Sequence, residues 1–403
     1  MKKILIFSTA YFPFVGGAEV AVKEITDRIP DIEFDMITLR FDSRLPKSEK
    51  IGNVNVYRIG FTSKAPSMSD LVKLPFKINK LLFPFLGWWK ANNLNKKKRY
   101  DGIWAMMAAF AGFSALFFKL NHPRTPYLLT LQEGDPISEI KKKVRFVYPL
   151  FKKIFTKADK IQVISNYLAD WAREMGGSNI EVIPNGVAIN KFSCPISQAV
   201  KNNLKNDLGI EDNEKILITT SRLVRKNGLE DLVDATKSLV DNGYKVKTII
   251  LGDGPLKNEL KQRILKYQPE GATLENSQIK KKQVIVLFGN RPQEDISAHL
   301  SMADIFIRPS LSEGLGNSFL EAMAIGLPVI ATPVGGIPDF LEDEKTGWFC
   351  KVKDPKSIVE KVQYILNNPE KTQEVVVRAK RMIEEKYNWE KIAIKMKEIF
   401  VNL

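Results

Sequence analysis

Short apolar runs of strand length alternate with longer amphipathic segments along the whole chain. In the first half the runs are KILIFS, FDMITL, VNVYRI, GIWAMM, YLLTLQ and IQVIS, and in the second half they are KILITTS, KTIILG, VIVLFG, DIFIRPS, PVIAT and GWFCKV. Continuous apolar strands joined by helices are typical of parallel sheets that are covered on both faces. The pattern therefore predicts an α/β protein with two doubly wound, Rossmann-like domains in series.

A turn-rich passage without periodicity, VIPNGVAINKFSCP, separates the two sets of runs and reads as an interdomain connector. At 403 residues the chain is long enough for two domains of ordinary size. We therefore expect an N-terminal domain over residues 1–188 and a C-terminal domain over residues 189–386.

Ligands of parallel α/β sheets bind beyond the carboxyl ends of the strands, so polar residues and glycines that follow strands are candidates for a site. Gly16 and Gly17 follow the first strand, where the backbone can approach a ligand at the start of the helix that carries Glu19. Arg222 and Lys226 follow a strand of the second half and suit a diphosphate, because Arg binds bidentately and Lys supplies a mobile charge. Taken alone, a plain capped turn and a solvated basic loop would give the same two patterns.

The stretch EGLGNSFLE begins at Glu313, directly after a predicted strand, and ends at Glu321. A helix is expected to begin near Ser318, so that the unpaired main-chain amides of Leu315, Gly316 and Asn317 can hold a phosphate. Glu321, expected in the first helical turn, can bond sugar hydroxyls, and Glu313 would face the group that carries the phosphate. Each acid by itself also fits an ordinary surface role. Their occurrence together with a basic loop and glycine turns favours a sugar phosphate site.

The composition limits the chemistry that is available. Two histidines leave little material for a zinc site or a catalytic triad, and no Asp-x-Asp follows a strand to hold Mg²⁺. Two distant cysteines, Cys194 and Cys350, indicate a reducing cytosol. The net charge is +15, and residues 1–190 carry +12 of it, with 29 Lys and Arg against 17 Asp and Glu. The excess points to a polyanionic or anionic-membrane partner of the first half, or to a generally Lys-rich surface.

One segment of the first half has the composition of a membrane interface. Residues 71–90 place apolar side chains on one helical stripe with lysines elsewhere, and the run KKKR follows at residues 96–99. A core-facing helix would show the same stripe, and Pro75 and Pro84 argue against one straight helix. The longest uncharged run, residues 103–118, is too short to span a bilayer and predicts a strand followed by a buried helix. The apolar stripe consists of Leu71, Leu74, Ile78, Leu81, Phe85 and Trp89.

Seven motifs are characteristic of one enzyme family. They are GGAE (16–19), PNGV (184–187), SRLVRKNG (221–228), GDGP (252–255), FGN (288–290), ADIFIRPSLSEGLGNSFLEAMAIGLPVIAT (303–332) and GGIPD (335–339). With them the chain resembles the family 4 glycosyltransferases, retaining enzymes of the GT-B fold. The resemblance covers most of the chain and is stronger in the second half. Its most specific part is the block with Glu313, seven intervening residues and Glu321.

The resemblance implies two Rossmann-like domains that face each other across a cleft, with the acceptor on the first domain and the donor on the second. The segment 387–403 resembles the helix that crosses back to the first domain. Arg222 and Lys226 would neutralise the diphosphate of a nucleotide sugar. Glu321 would hold the ribose hydroxyls, and Glu313 would address the transferred sugar.

Further positions match the family's donor site. Gly289, Asn290 and Arg291 fall where such enzymes hold the base, and Gly16 and Gly17 would approach the phosphates from the first domain.

The first domain departs from the family at one point. Many members carry a His-Asp pair after a strand, whereas this chain has Gln132 followed by Glu133. Gln132 can bond a sugar hydroxyl but cannot titrate near neutral pH. We expect Gln132 and Glu19 to contact the acceptor or the sugar.

The expected function is retaining transfer of a hexose from a nucleotide-diphosphate sugar to a hydroxyl of a glycan or lipid-linked acceptor, in polysaccharide biosynthesis. No metal or other cofactor and no nucleic acid partner are expected. The expected location is the cytoplasm, with peripheral association at the inner face of an anionic membrane. Two alternatives stay open: a nucleotide-sugar epimerase, which would release an epimer without an acceptor, and a non-catalytic sugar-nucleotide-binding protein, which would not hydrolyse the donor.

Overall fold

The computed structural model describes residues 1–64, 66, 70, 74–192, 196–267, 283–289 and 291–403. They form two compact units, one of Met1–Gly186 together with Trp389–Leu403 and the other of Val187–Asn388. The observed divisions fall two residues away from the predicted ones, after residue 186 instead of 188 and after residue 388 instead of 386.

The N-terminal unit is built on a sheet of eight strands, all parallel except for one edge pair. The strands are β1 (Lys2–Phe7), β2 (Ile32–Leu39), β3 (Ser48–Ile51), β4 (Val54–Ile59), β5 (Gly102–Met106), β6 (Tyr127–Leu131), β7 (Lys160–Val163) and β8 (Ile180–Val182). Their order is β3-β4-β2-β1-β5-β6-β7-β8. Every residue of β5 and β6 is buried, as expected for central strands with helices on both faces. The six strands predicted from the sequence are confirmed, and the short edge strands β3 and β8 were not predicted.

The described residues of this unit also form helices along the first part of the chain. They are α1 (Gly17–Asp27), α2 (Phe76–Lys98), α3 (Ala111–Asn121), α4 (Ile137–Val144), α5 (Tyr148–Thr156) and α6 (Asn166–Glu174). Pro75 precedes α2 and Pro84 lies inside it, so the two prolines do not divide the helix. The run at residues 103–118 forms β5 and most of α3, as predicted.

The C-terminal unit contains a sheet of six parallel strands. The strands are β9 (Lys215–Thr220), β10 (Val246–Leu251), β11 (Ile285–Gly289), β12 (Ile305–Arg308), β13 (Val329–Ala331) and β14 (Trp348–Phe349), in the order β11-β10-β9-β12-β13-β14. The helices are α7 (Ile189–Phe192), α8 (Gln198–Leu208), α9 (Leu229–Asp241), α10 (Lys257–Leu265), α11 (Gln293–Ser301), α12 (Asn317–Ile325), α13 (Pro355–Asn367) and α14 (Pro369–Lys386). All six strands coincide with predicted runs.

The last helix, α15 (Trp389–Asn402), belongs to the N-terminal unit. Its apolar face is buried, and the ring of Phe400 contacts the rings of Phe34 and Trp104 at centroid distances of 5.4 and 5.0 Å. The predicted return of this segment to the first unit is therefore observed.

Within the described residues, no helix has both the length and the hydropathy that crossing a bilayer requires. Cys350 is a buried free thiol, and burial raises its pKa to about 12. Cys194 lies outside the described residues.

Each sheet has one place where the chain reverses its direction of winding. In the N-terminal unit this place lies between β1 and β5, and in the C-terminal unit between β9 and β12. The loops that leave two such strands diverge to opposite faces and leave a crevice at the carboxyl edge of the sheet, where ligands of open α/β sheets bind. The topology therefore selects the loops after β9 and β12 as the first candidates for a site.

Candidate active site

The loops after β9 and β12 are tied together by main-chain hydrogen bonds. The amide of Leu311 donates to the carbonyl of Lys226 at 2.6 Å, and the amide of Leu223 donates to the carbonyl of Asp253 in the loop after β10 at 3.0 Å. Three neighbouring strands thus present one connected rim at the carboxyl edge of the sheet.

The rim presents the two predicted cations. The side chain of Arg222 is exposed, and among the described residues it has no hydrogen bond or ion pair; its carbonyl accepts from Nδ2 of Asn227 at 2.7 Å. Lys226 is half-buried on the same loop. Arg225 differs, because its guanidinium pairs with Glu259 at 2.9 Å. Arg222 is therefore the arginine of this loop whose charge is available to an anion.

The loop after β12 begins with a buried acid and ends at a helix. Glu313 is buried and forms an ion pair with Arg308 at the end of β12. Gly316 caps α12 with φ at +92°, a conformation that favours glycine, and Leu315 is buried. In the first turn, which begins at Asn317, the amide of Phe319 donates to the carbonyl of Gly316 at 3.0 Å, and the start of a helix carries a partial positive charge. This end of α12 has the features of an anion site.

The predicted place of Glu321 was wrong by one turn. Because α12 begins at Asn317, Glu321 lies in the second turn, where the influence of the helix terminus has largely declined. Its charge acts on Arg308 instead and helps to keep that guanidinium protonated. Both acids of the stretch therefore interact with one buried arginine, which the sequence analysis did not single out.

The predicted base-binding positions lie at the end of β11 and directly after it, two strands away from β9. At the usual strand spacing this is a distance of about 10 Å. Gly289 has φ at +75°, and its carbonyl accepts from the amide of Gly252 at 2.8 Å. The guanidinium of Arg291 lies 4.2 Å from the ring centroid of Phe288. Asn290 lies outside the described residues.

In the N-terminal unit, the glycine pair lies at the start of α1. Gly17 is the first residue of this helix, and the amide of Gly16 donates to Oε2 of Glu19 at 2.6 Å. Glu19 thus satisfies a main-chain donor at the helix start, as in a capping box. This local contact explains the residue without a ligand, so the predicted contact of Glu19 with a sugar stays a prediction.

The side-chain amide of Gln132 is buried and pairs with that of Asn185. Its Nε2 donates to Oδ1 of Asn185 at 3.2 Å, and Nδ2 of Asn185 donates to its Oε1 at 3.0 Å. Both residues are buried, and Asn185 belongs to the PNGV motif. A sugar hydroxyl that bonded Gln132 would have to share or replace these contacts, so the expected sugar contact of Gln132 also stays a prediction.

Glu133, beside Gln132, holds the turn between β5 and α3. Its two carboxylate oxygens accept from the amides of Ala108 at 2.7 Å and Gln132 at 2.9 Å. Met107 and Phe110 in that turn have φ of 71° and 50°, which is uncommon for bulky residues. Burial raises the pKa of Glu133 to about 7, although the amide hydrogen bonds oppose the shift. The turn lies where the N-terminal sheet reverses its winding.

Two family models match the chain. The model of Glycosyltransferase Family 4 matches residues 15–191, and the model of Glycosyl transferases group 1 matches residues 200–389. The chain belongs to the group 1, family 4 glycosyltransferases. The division between the two matches falls close to the observed division between the two units.

Relatives that match over most of their length agree with this assignment. This glycosyltransferase is 25% identical over 399 residues to the uncharacterized glycosyltransferase MJ1178 of Methanocaldococcus jannaschii, covering 99% of this chain and 98% of the relative. It is 26% identical over 356 residues to the amylovoran biosynthesis glycosyltransferase AmsK of Erwinia amylovora, covering 85% and 76%. The crystal structure of Anabaena HepE in complex with UDP-glucose is similar in fold, with a TM-score of 0.75, 20% identity and 100% of both chains covered. The fold is that of the GT-B glycosyltransferases.

In this glycosyltransferase three polar residues at the ends of strands or in the loops after them were not predicted as site residues from the sequence. Arg308 was treated as part of a strand, Glu133 as a substitution in a motif, and Asn185 as part of a connector. The sequence signal for Arg308 is a charged residue at the end of an otherwise apolar strand. The sequence signal for Glu133 is an acidic residue soon after the end of an apolar strand. Nothing local in the sequence pairs Asn185 with a residue 53 positions earlier.

Proposed function

We propose that this glycosyltransferase moves a hexose from a nucleotide-diphosphate sugar to a hydroxyl of a glycan or lipid-linked acceptor, with retention and without a metal ion. The observation that carries the proposal is the rim of the C-terminal sheet. There the unpaired Arg222, the half-buried Lys226 and the start of α12 accompany the buried Glu313 at the reversal of the strand order.

The donor is held through its diphosphate in this proposal. Arg222 supplies a guanidinium fork, Lys226 a compact charge, and the first turn of α12 main-chain N–H groups, which together suit the negative charge of a pyrophosphate. The similar fold of HepE, whose crystal structure contains UDP-glucose, supports a nucleotide sugar as the ligand class. Arg291 and Gly289 remain the proposed contacts of the base, and Glu321 that of the ribose.

Transfer breaks the bond between the anomeric carbon and the diphosphate oxygen and forms a bond from that carbon to the acceptor oxygen. Negative charge grows on the departing diphosphate, where Arg222, Lys226 and the start of α12 stabilise it; one preorganised donor can contribute about 3 kcal/mol. The acceptor hydroxyl attacks from the face of the leaving group and gives its proton to the departing phosphate, which preserves the anomeric configuration. Glu313 orients the sugar during this step.

A metal ion has no role in the proposed reaction. The cationic side chains and helix terminus of the rim would take over the stabilisation of the leaving group. Transfer should therefore persist in the presence of a chelator.

The N-terminal unit supports the proposed association with an anionic membrane. On α2 the side chains of Ile78, Leu81, Phe85 and Trp89 are exposed, at 43, 57, 58 and 59% respectively, and follow one another at helical spacing. The buried residues of the same helix, among them Phe83, face the other way. An outward apolar stripe with lysines beside it suits insertion among anionic headgroups. The part of the predicted stripe at Leu71 lies outside the described residues.

A basic cavity borders this stripe and supports an anionic acceptor. The cavity has a volume of about 280 Å³, and Trp89 belongs both to it and to the stripe. Its remaining walls come from Arg40, Lys47, Arg58, Ile59, Gly60 and Leu86. An acid balances one of the three cations, since Arg58 pairs with Glu49. A phosphorylated lipid-linked acceptor would place its anionic group at the cavity and its chain along α2.

The direct test is transfer from a panel of UDP-, GDP- and ADP-sugars to short-chain phosphorylated lipid acceptors, with and without EDTA. The proposal predicts a glycosylated product whose anomeric configuration, read by nuclear magnetic resonance, matches that of the donor. An epimerised sugar nucleotide formed without acceptor, or no turnover of any donor, would contradict it.

A further inference from the structure

Arg308 lies beneath the loop that carries Glu313. It is the last residue of β12, it is buried, and its guanidinium contacts three elements of the C-terminal unit. Nη1 donates to the carbonyl of Thr220 at the end of β9 at 3.3 Å and to Oγ of Ser318 in the first turn of α12 at 2.5 Å. Nη2 donates to Oε1 of Glu313. One side chain therefore joins the ends of the two strands at the reversal point, β9 and β12, to the loop and helix that follow β12.

The loop is shaped around this guanidinium. The guanidinium carbon of Arg308 lies 4.2 Å from the ring centroid of Phe319, and a Cβ atom on Gly316 would come within 2.8 Å of Nη2. Burial lowers the pKa of Arg308, and the charges of Glu313 and Glu321 oppose that shift. The other residues of β12 are fully buried and apolar, so this strand end would accommodate an apolar side chain without any cost of burying a charge.

The contact to Glu313 uses one carboxylate oxygen. Oε1 accepts from Arg308, and no group of the described residues donates to Oε2. Glu313 keeps about 12% of its side-chain surface exposed. The pair therefore fixes the orientation of the carboxylate and leaves one oxygen with capacity to accept from a ligand hydroxyl.

We propose that Arg308 is a positioning residue for sugar transfer, which holds the Glu313 carboxylate in the orientation that bonds the transferred sugar. The inference rests on the proposed function of Glu313. In this proposal Arg308 does not touch the donor and acts only through Glu313. Its hydrogen bonds to Thr220 and Ser318 fix the position of the guanidinium that holds the Glu313 carboxylate. A merely structural arginine would stabilise the loop without affecting how the sugar is held.

The first test compares Arg308→Lys with the wild type in the transfer assay. Lysine keeps the charge that Glu313 needs but loses the fork that reaches three partners at once. We expect kcat to fall by about 10- to 100-fold, the scale of a small misplacement, while the Kd of the bare nucleoside diphosphate changes less than twofold. Arg263→Gln, which removes an arginine-carboxylate pair between α10 and α9, should leave kcat unchanged. A wild-type kcat in Arg308→Lys overturns the inference.

The second test measures what the sugar adds to binding and requires no turnover. The ratio of the Kd of the nucleoside diphosphate to that of its sugar form is determined by calorimetry for wild type, Arg308→Lys, Glu313→Gln and the double variant. The inference predicts that Arg308→Lys lowers this ratio in the wild-type background and has no further effect once Glu313 is replaced. Equal effects in both backgrounds would show that Arg308 acts independently of Glu313 and would overturn the inference.

The outcomes distinguish a failure of the proposed function from a failure of the positioning role of Arg308. A wild-type protein that transfers no sugar, or a fully active Glu313→Gln, refutes the proposed function. A wild-type protein that transfers, an impaired Glu313→Gln and an unimpaired Arg308→Lys refute only the positioning role. Thermal unfolding of each variant, compared with Arg263→Gln, reports whether the fold is kept.

Discussion

The side-chain amides of Gln132 and Asn185 exchange two hydrogen bonds, at 3.2 and 3.0 Å, within the N-terminal unit. The pair joins the end of β6 to the PNGV motif, 53 residues later in the chain. It shows that the residue which stands in place of the family's usual histidine is engaged with another side chain of its own unit.

Replacement of Gln132 by Ala should therefore lower stability. A buried amide that loses its partner costs about 1–3 kcal/mol, so the free energy of unfolding in urea should fall by about this amount. The transfer kinetics of the same variant test whether Gln132 contacts the sugar. A lower kcat with unchanged stability would mean that Gln132 binds the sugar instead of Asn185.

Glu133 should make stability depend on pH between about 4.5 and 7. Its folded pKa, about 7, lies above the ordinary value of 4.5, so the native state binds more protons than the unfolded state in this window. Stability should fall as the pH rises from about 5 to 8, by on the order of 3 kcal/mol from this group if the whole shift is realised. The free energy of unfolding measured by urea titration at several pH values tests this.

Glu133→Gln is the comparison for that experiment, because glutamine cannot titrate but can still accept from a main-chain amide. Its unfolding free energy should fall less steeply than that of the wild type over the same pH range. Parallel pH profiles for the two proteins would contradict a raised pKa at this position.

Gly335→Ala should disturb the loop that carries Glu313. Gly335 has φ at +57°, and a Cβ atom there would stand 1.8 Å from the carbonyl oxygen of Glu313. The loop must move, so we expect a loss of about 1–3 kcal/mol in stability and of about 100-fold in kcat. Gly243→Ala is the matched control, since φ is +82° there but a Cβ atom would meet nothing within 4 Å. The kcat of Gly243→Ala should equal that of the wild type. A similar loss of kcat in both variants would contradict the proposed disturbance of the Glu313 loop.

Serine at Ile78, Leu81 and Trp89 together should weaken binding to anionic vesicles by about 10-fold or more, because each side chain loses apolar area that the headgroup region would bury. Co-sedimentation with anionic and with neutral vesicles measures this. The three side chains are exposed, so thermal unfolding should change little.

The control replaces three equally exposed apolar residues elsewhere, Val377, Ile394 and Val401. That variant should bind vesicles as the wild type does. Equal recovery of the wild type with neutral and anionic vesicles, or equal losses in the two triple variants, would contradict a membrane role for α2.

The strands and the loops after them could be predicted from the sequence because local apolar runs and turn residues specify them. The edge strand β3, with the polar sequence SEKI, has no apolar run and is recognised only through its pairing with β4. The helix start after Gly316 was predicted near its true place, yet an error of one residue moved Glu321 into another turn. Boundaries of this kind depend on loop geometry that the sequence pattern leaves open.

Side-chain partners could not be predicted in the same way. The pairs Arg308–Glu313 and Gln132–Asn185 depend on how the loops close at the carboxyl edges of the sheets. The role of Glu19 at its helix start was readable, since Gly16 followed three residues later by Glu is a variant of the capping box. The prediction of a ligand contact at Glu19 rested on its place in the helix after the glycine pair, and this place does not distinguish a structural acid from a binding one.

The central claim, that a pyrophosphate binds at the rim through Arg222 and Lys226, is tested most directly by calorimetry with Arg222→Ala and Arg225→Ala. The ligand is whichever of UDP, GDP and ADP raises the melting temperature of the wild type most. Arg225 lies on the same loop but pairs with Glu259, so it serves as the control. Loss of a charge-assisted hydrogen bond of about 1.5–3 kcal/mol predicts an affinity about 10- to 100-fold lower for Arg222→Ala, and within twofold of the wild type for Arg225→Ala. Wild-type affinity in Arg222→Ala would contradict the account.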